Sequence, residues 1–315
     1  MSNQILNAIS FKRESVWGTP VTPDKSMPVN FTGGIQTQQD IQFVESVRGR
    51  LAKNQASFVG NRSHEGDFEF SLNPDHSGFF LLTAIGDVSS ALASGETVVY
   101  DHTFSESESK PSLTIEQKIG DNVRRYAGAI CQEFKVSGNP GEIVTATASM
   151  MAKSQASATA ITPVYTDTPD YNFVNAVVKI DGVAIQEMQK FEFDYKNNLG
   201  LKYVLNSNDP QFVYLNGSEM TGSFEMYLDN ITLAEMTKYL SASESALTLE
   251  LTGKAIGVGS FYRFNINVPK VIYTTAETPL GNDYNLLTVE FEGIYDSVTS
   301  KLVDFVLTNE VASYI

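Results

Sequence analysis

Apolar and polar residues alternate along this chain in short runs, and the runs recur in the same order in its two halves. In the first half Phe68, Phe70 and Leu72 alternate with Asp67, Glu69 and Ser71. In the second, Phe224, Met226 and Leu228 alternate with Ser223, Glu225 and Tyr227. A period of two predicts strands with one face toward a core. A helix signal follows each strand at once. Asn73 caps the first helix before Pro74, and Gly86 ends it. Asp229 or Asn230 caps the second, whose predicted apolar face carries Leu233, Met236 and Leu240.

Further strands follow each helix. In the first half these are Ser112–Glu116, then Tyr126–Val136 and Glu142–Met150 joined by the turn Gly138-Asn139-Pro140-Gly141. In the second they are Ala246–Glu250, then Phe261–Tyr273 and Asn285–Ile294, joined by Pro279 to Asp283. Upstream, Val177–Ile180 and Val183–Tyr195 flank Asp181-Gly182, a two-residue hairpin signal. A looser counterpart runs from Val29 to Phe43 and turns at Gly33-Gly34. The repeated order predicts an all-β protein with minor α content, built by duplication of one domain. A single large sandwich with coincidental echoes is the alternative. The expected divisions are an extended arm over 1–30 with Trp17 as its anchor, a first domain over 31–152, a linker over 153–170 and a second domain over 171–315. Two stretches, Val44–Glu65 and Lys196–Met220, read as long loops between the second and third strands of each half. Loops of that length are usually functional or disordered.

Composition narrows the function. Hydrophobic residues make up 42% and charged residues 19% of the 315 positions, enough apolar content for a sizeable core. The 22 basic residues face 37 acidic ones, for a net charge of −15. Such a surface repels phosphate backbones and argues against tight nucleic-acid binding. No basic leader segment is visible, and the longest apolar cluster, Gly78–Ile85, is too short to span a bilayer, so a soluble protein without a signal peptide is expected. The single cysteine, Cys131, has no partner for a disulfide or a CxxC site and reads as a core residue.

Catalytic and metal signatures are missing from the sequence. The three histidines, His64, His76 and His102, stand in no Gly-x-Ser-x-Gly, HExxH or comparable context, so no catalytic residue, metal or cofactor is expected. Paired carboxylates do recur on alternate strand positions: Asp67 with Glu69, Glu192 with Asp194, Glu225, and Glu290 with Glu292. Each lies opposite apolar neighbours, the pattern of a half-exposed strand. A sheet with one dry face and one negative face suits a conduit along which a polyanion slides without sticking.

Here the sequence resembles a known family. The stretches "KRESVWGTPVTP" at Lys12–Pro23, "GFFLLTAIGD" at Gly78–Asp87, "YDHTF" from Tyr100, and the run from Lys110 to Ser149 are similar to long bacteriophage tail tube proteins. The likeness covers most of residues 10–150 and weakens beyond. It implies tail-tube-like β-sandwich domains, each flanked by one short helix. It implies rings of three double-domain chains with pseudo-six-fold symmetry, or of six chains, whose inner sheets join into one continuous β-barrel. Rings would stack into a virion tube, assembled in the host cytoplasm, for DNA ejection. The implied partners are copies of the chain, tail tip, terminator and tape-measure proteins, and passing double-stranded DNA held without tight binding, with no membrane. The acidic set Asp67, Glu69, Glu192, Asp194, Glu225, Glu290 and Glu292 would face the lumen. Arg48, Arg50, Lys53 and Arg62, with Lys202 and Tyr203, would lie on loops between rings. About 24 strands at ~4.8 Å spacing and ~45° tilt give a backbone diameter of about 50 Å, wide enough for duplex DNA. A non-contractile tail is the expected setting and a contractile device the variant. The alternative from another class is a secreted or surface β-sandwich binding module of adhesin type, and a β-rich hydrolase with an acidic site is a third reading.

Overall fold

The computed structural model describes residues 7–28, 33–46, 48–49, 51–229, 232–257, 259–278 and 285–314. Within them the chain is mainly antiparallel β-structure with two short α-helices. In chain order the first half gives β1 (Ala8–Arg13), β2 (Lys25–Met27), β3 (Gln36–Glu45), β4 (Asn54–Ser71), α1 (Ser77–Ile85), β5 (Gly86–Leu92), β6 (Tyr100–Glu106), β7 (Leu113–Ile119), β8 (Asn122–Gly138), β9 (Thr145–Ala152) and β10 (Ser154–Ser157). The second gives β11 (Ala176–Ile180), β12 (Val183–Ala184), β13 (Met188–Lys196), β14 (Leu199–Lys202), β15 (Phe212–Leu215), β16 (Glu219–Tyr227), α2 (Leu233–Ser241), β17 (Ser245–Ile256), β18 (Ser260–Glu277), β19 (Leu286–Gly293) and β20 (Asp304–Asn309).

One sheet organises the molecule. Its strands lie in the order β3-β4-β9-β8-β13-β16-β19-β18, all antiparallel. The long strands β8 and β18 then bend out of this sheet. The N-terminal part of β8 pairs with β7 and β10, and that of β18 with β17 and β20. Those strands form a second layer, extended by β1 on β7 and by β11 on β17. Strands that pass between sheets make the corners of such a sandwich. Among the described residues the sheet ends in open edges and closes no barrel.

The pairing pattern of the first half recurs in the second. Elements β1, β2, β3, β4, α1, β7, β8, β9 and β10 correspond to β11, β12, β13, β16, α2, β17, β18, β19 and β20. Only the first half carries β5 and β6, and only the second β14 and β15. Gly66 and Gly222 hold matching places: a Cβ on Gly66 would strike the Gly34 carbonyl oxygen, and one on Gly222 the Glu192 carbonyl oxygen. Only glycine lets neighbouring backbones approach so closely.

Several sequence expectations change. Residues 8–13, expected in an arm, form β1, whose Phe11 is fully buried. Trp17 does anchor this region, donating from Nε1 to the Gly128 carbonyl at 3.1 Å. The expected linker contributes β10. Gly33 and Gly34, expected at a hairpin turn, both have positive φ and lead the chain into β3 beside β4, with Gly34 N donating to Asp67 O at 2.7 Å. Residues 29–32, expected to precede that turn, lie outside the described residues, as does all of the Pro279–Asp283 connection. Asp181-Gly182 does turn a hairpin, with φ of 51° and 80° as a primed turn requires.

The helices also differ in detail. The first starts at Ser77, later than expected, because Asn73 Oδ1 accepts from Asp75 N at 2.9 Å and holds a turn first. Gly86 ends it as expected, at φ 112°. Every residue of α1 is buried, since β-strands cover one side and Phe11 and Tyr314 the other. In α2, Met236 and Tyr239 pack against the core, whereas Leu233 and Leu240 are exposed. Glu235 sets this orientation by accepting from the buried Tyr273 hydroxyl at 2.6 Å. Asp229 accepts from Thr232 N at 2.8 Å at the start of the helix, and Asn230 lies outside the described residues.

Phe80 shows how α1 is held. It is fully buried, with ring centroids 5.2 Å from Phe11, 5.4 Å from Phe70 and 6.5 Å from Phe68. Phe80→Ala is expected to lower unfolding stability by about 3–5 kcal/mol, read from denaturant melts. No helix among the described residues is long and apolar enough to cross a membrane.

Candidate functional site

Strand alternation gives the main sheet two unlike faces. Inward lie Phe68, Phe70, Phe134, Val136, Phe191, Phe193, Phe224 and Phe291, all buried. Outward, the register aligns polar residues in rows. One row runs Glu69, Thr147, Lys135, Asp194, Thr221, Glu292 from β4 to β19. The next runs Ser71, Thr145, Ser137, Glu192, Ser223, Glu290. Asp67 leads a row through Ser149, Glu133, Lys196 and Glu219. Glu225 stands opposite Lys190 and Thr288. The seven acidic candidates, from strands far apart in sequence, thus share one face.

They differ in exposure and partners. Asp67, Glu69, Glu290 and Glu292 are exposed. Where β8 meets β13, carboxylates are matched by lysines: Lys135 Nζ lies 2.7 Å from Glu192, and Lys196 Nζ lies 2.8 Å from Asp194 and 3.9 Å from Glu133. Asp194 is only 7% exposed. Burial, reinforced by the neighbouring Asp194, raises the Glu133 pKa, and the hydrogen bond to Asp194 raises that of Lys196. The half-exposed Lys135–Glu192 pair contributes ~0–1 kcal/mol. The main effect of these lysines is to offset the carboxylates in the middle of the face.

Neither long loop is structureless. Residues 36–45 and 54–71 continue as paired strands β3 and β4, so the first is a β-hairpin. Its distal part buries almost nothing: Ile41, Phe43 and Phe58 are 52%, 58% and 56% exposed. Arg48 is exposed near its tip, Lys53 pairs with Glu45 at 2.8 Å, and Arg50 lies outside the described residues. Arg62 sits lower, where its Nε donates to Gln39 at 3.2 Å.

The second stretch makes a smaller hairpin, β14 with β15, which lies back on the chain. Leu199, Leu201, Val213 and Leu215 pack with Ile130, Met151 and Trp17. Lys202 sits over the Tyr214 ring at 4.7 Å. The connection between β14 and β15 clamps the root of the first hairpin. Tyr203 Oη donates to the Arg62 carbonyl at 2.9 Å, Arg62 N donates to Asn208 O at 2.7 Å, and Asn208 Nδ2 donates to the carbonyls of Val59 and Gly60. Asp209 approaches Arg62 at 3.9 Å and the buried His64 at 3.4 Å. The structure therefore brings Arg62 and Tyr203 together and leaves Arg48 and Lys202 elsewhere. Asn208 escaped sequence reading because its side chain acts on backbone carbonyls, which carry no residue signature, and Asp209 because its partners Arg62 and His64 are remote in sequence.

Ser90, His102 and Asn309 form a hydroxyl–imidazole–amide set. Ser90 Oγ lies 2.7 Å from His102 Nδ1, and His102 Nε2 lies 3.0 Å from Asn309 Oδ1. Asn309 Nδ2 donates to Pro74 O and Tyr314 Oη, so its oxygen faces the imidazole. The imidazole is fully buried, and that burial holds its pKa below the usual range. The set ties β5, β6 and β20 together. Among the described residues, no group of three or more His, Cys, Asp or Glu side chains is placed to hold a metal ion.

These features define a β-rich structural subunit with a charged sheet face, open sheet edges and a projecting hairpin. The profile of the phage tail tube protein family matches residues 5–293, and the chain belongs to that family. No curated protein matches the chain. It is a structural tail tube protein of the virion, and self-assembly into a tube follows from the family.

Proposed function

We propose that the chain forms rings that stack into the tail tube of a phage and that the acidic sheet face lines the lumen through which DNA is ejected. The observation that carries this reading is the eight-stranded sheet: its dry face is packed, its wet face is acidic, and its two ends are open. Like charge keeps phosphates from binding within a screening length of ~8 Å. Three chains supply about 24 strands and a barrel of about 50 Å, so a trimer with pseudo-six-fold symmetry fits better than six chains. The two repeats act as tube domains over 31–152 and 171–315, with β1, β2 and β10 completing the first. The β3–β4 hairpin makes the contact between stacked rings, an open-ended heterologous association. The tail is non-contractile, the subunit performs no catalysis, and tail tip, terminator and tape-measure proteins meet the finished tube after assembly in the host cytoplasm.

Electron microscopy of the purified chain tests the reading. Rings or tubes about 100 Å wide are expected. A chain that stays monomeric at high concentration and under crowding would overturn it.

A further inference from the structure

We infer that chains join within a ring by pairing β3 of one copy with β18 of the next, in the register Gln38 opposite Thr275, Thr37 opposite Ala276 and Gln36 opposite Glu277. This rests on the proposed ring, but the register comes from the chain's own internal repeat.

The repeat can be aligned by its irregularities. Strands β7 and β8 shift register between Leu113/Ile115 and Ala129/Tyr126, while β17 and β18 shift between Ser245/Leu247 and Val271/Val268. A second shift skips Gln132 in β8 and Thr274 in β18. Both shifts give the same alignment, which equates Glu133, Phe134 and Lys135 with Thr275, Ala276 and Glu277. On the other side, Gly66 and Gly222 pair with matching partners in β9 and β19. Their neighbours Glu65 and Thr221 then equate Gln36 with Asp194, and Thr37 and Gln38 with Tyr195 and Lys196.

The chain already makes this joint once. Strand β8 meets β13 with Glu133 opposite Lys196, Phe134 opposite Tyr195 and Lys135 opposite Asp194. The equivalent edges at the two ends of the sheet are open: among the described residues β3 pairs only with β4, and Thr275–Glu277 only with β19. An open edge presents unpaired backbone donors and acceptors that template another strand. The repeat therefore supplies two halves of a joint that only a second copy completes. Face polarity agrees, since Thr275 lies beside Glu290 on the wet face and Ala276 packs against the core. The joint between chains lacks the ion pairs of the joint within the chain: glutamines and a threonine stand where Lys196, Asp194 and Glu133 stand in the other, and Glu277, in the place of Lys135, faces the neutral Gln36.

Paired cysteines test the register. Gln38→Cys with Thr275→Cys, and separately Gln36→Cys with Glu277→Cys, are oxidised mildly during assembly and run on non-reducing gels. The two ends of the sheet lie on the order of 30 Å apart within one chain, far beyond the ~7 Å that a disulfide spans, so any cross-link joins two chains. Cys131 is fully buried with its thiol pKa pushed up by that burial, and it gives no background. Cross-linked multimers should rise from a trace in single-cysteine variants to most of the protein in both pairs. Rings that form by electron microscopy without a cross-link in either pair would overturn the register and leave the tube intact. Failure of the unmodified chain to form rings would overturn both.

Discussion

Shortening the β3–β4 hairpin leaves a folded ring that no longer stacks. The variant removes residues 42–58 and closes the strands with a short turn. Distal residues such as Phe43 and Phe58 are exposed, so their loss uncovers little core. The clamp from Tyr203 and Asn208 onto Val59, Gly60 and Arg62 is spared, which a deletion reaching Arg62 would destroy. The melting temperature should stay within about 2 °C, since surface changes away from packed features shift stability by ~0.5 kcal/mol or less. Electron microscopy should then show rings and no tubes. The apolar residues on the hairpin supply the reason: Ile41, Phe43, Val59 and Phe58 are too hydrophobic a set to leave in water in the finished assembly. Tubes of normal length from this variant would remove the hairpin from the stacking contact.

Reversing Glu290 and Glu292 to lysine should block DNA passage while sparing assembly. Both residues are exposed on β19, opposite Ser223 and Thr221 of β16, so lysine stems fit without disturbing Val289 or Phe291 beneath. Each reversal changes local charge by two, and every ring repeats the change. A few new lysine–phosphate contacts per ring shift DNA affinity by several decades, so ejection should slow by on the order of a hundredfold or more. Raising salt should restore much of the rate, because such contacts weaken steeply as counterions compete. The measurement is DNA release from assembled particles against ionic strength, beside tube dimensions. Unchanged release with normal tubes would place these carboxylates away from the lumen.

Legibility in the sequence followed burial. Phe68 with Phe70 and Phe224 with Met226 announced their strands because one face is packed and the other wet. Gln36–Glu45 and Asn54–Arg62 carried no such period, since both faces of that hairpin's distal part meet solvent and neither packs on the core of the chain. Val44, Glu45 and Asn54–Arg62 read as loop although they pair in β3 and β4, whereas the residues up to Phe43 read as one arm of a hairpin. Phe305 and Leu307 did alternate, but β20 is short and its partners β18 and β6 are remote in sequence, so the strand was missed. The acidic residues were visible one pair at a time. That they share a face depends on the β8–β13 junction, whose register no local pattern encodes.

That junction also bears on how quickly a ring forms. Because β8 and β13 belong to one polypeptide, every second joint around the proposed three-chain ring would be made during folding and need no encounter between molecules. Tethering of this type replaces bulk concentration by an effective one in the millimolar range. Closing a ring then takes three collisions' worth of partners instead of six. Nucleation should depend less steeply on subunit concentration than in a tube built from single repeats, and growth can begin while few copies have been made.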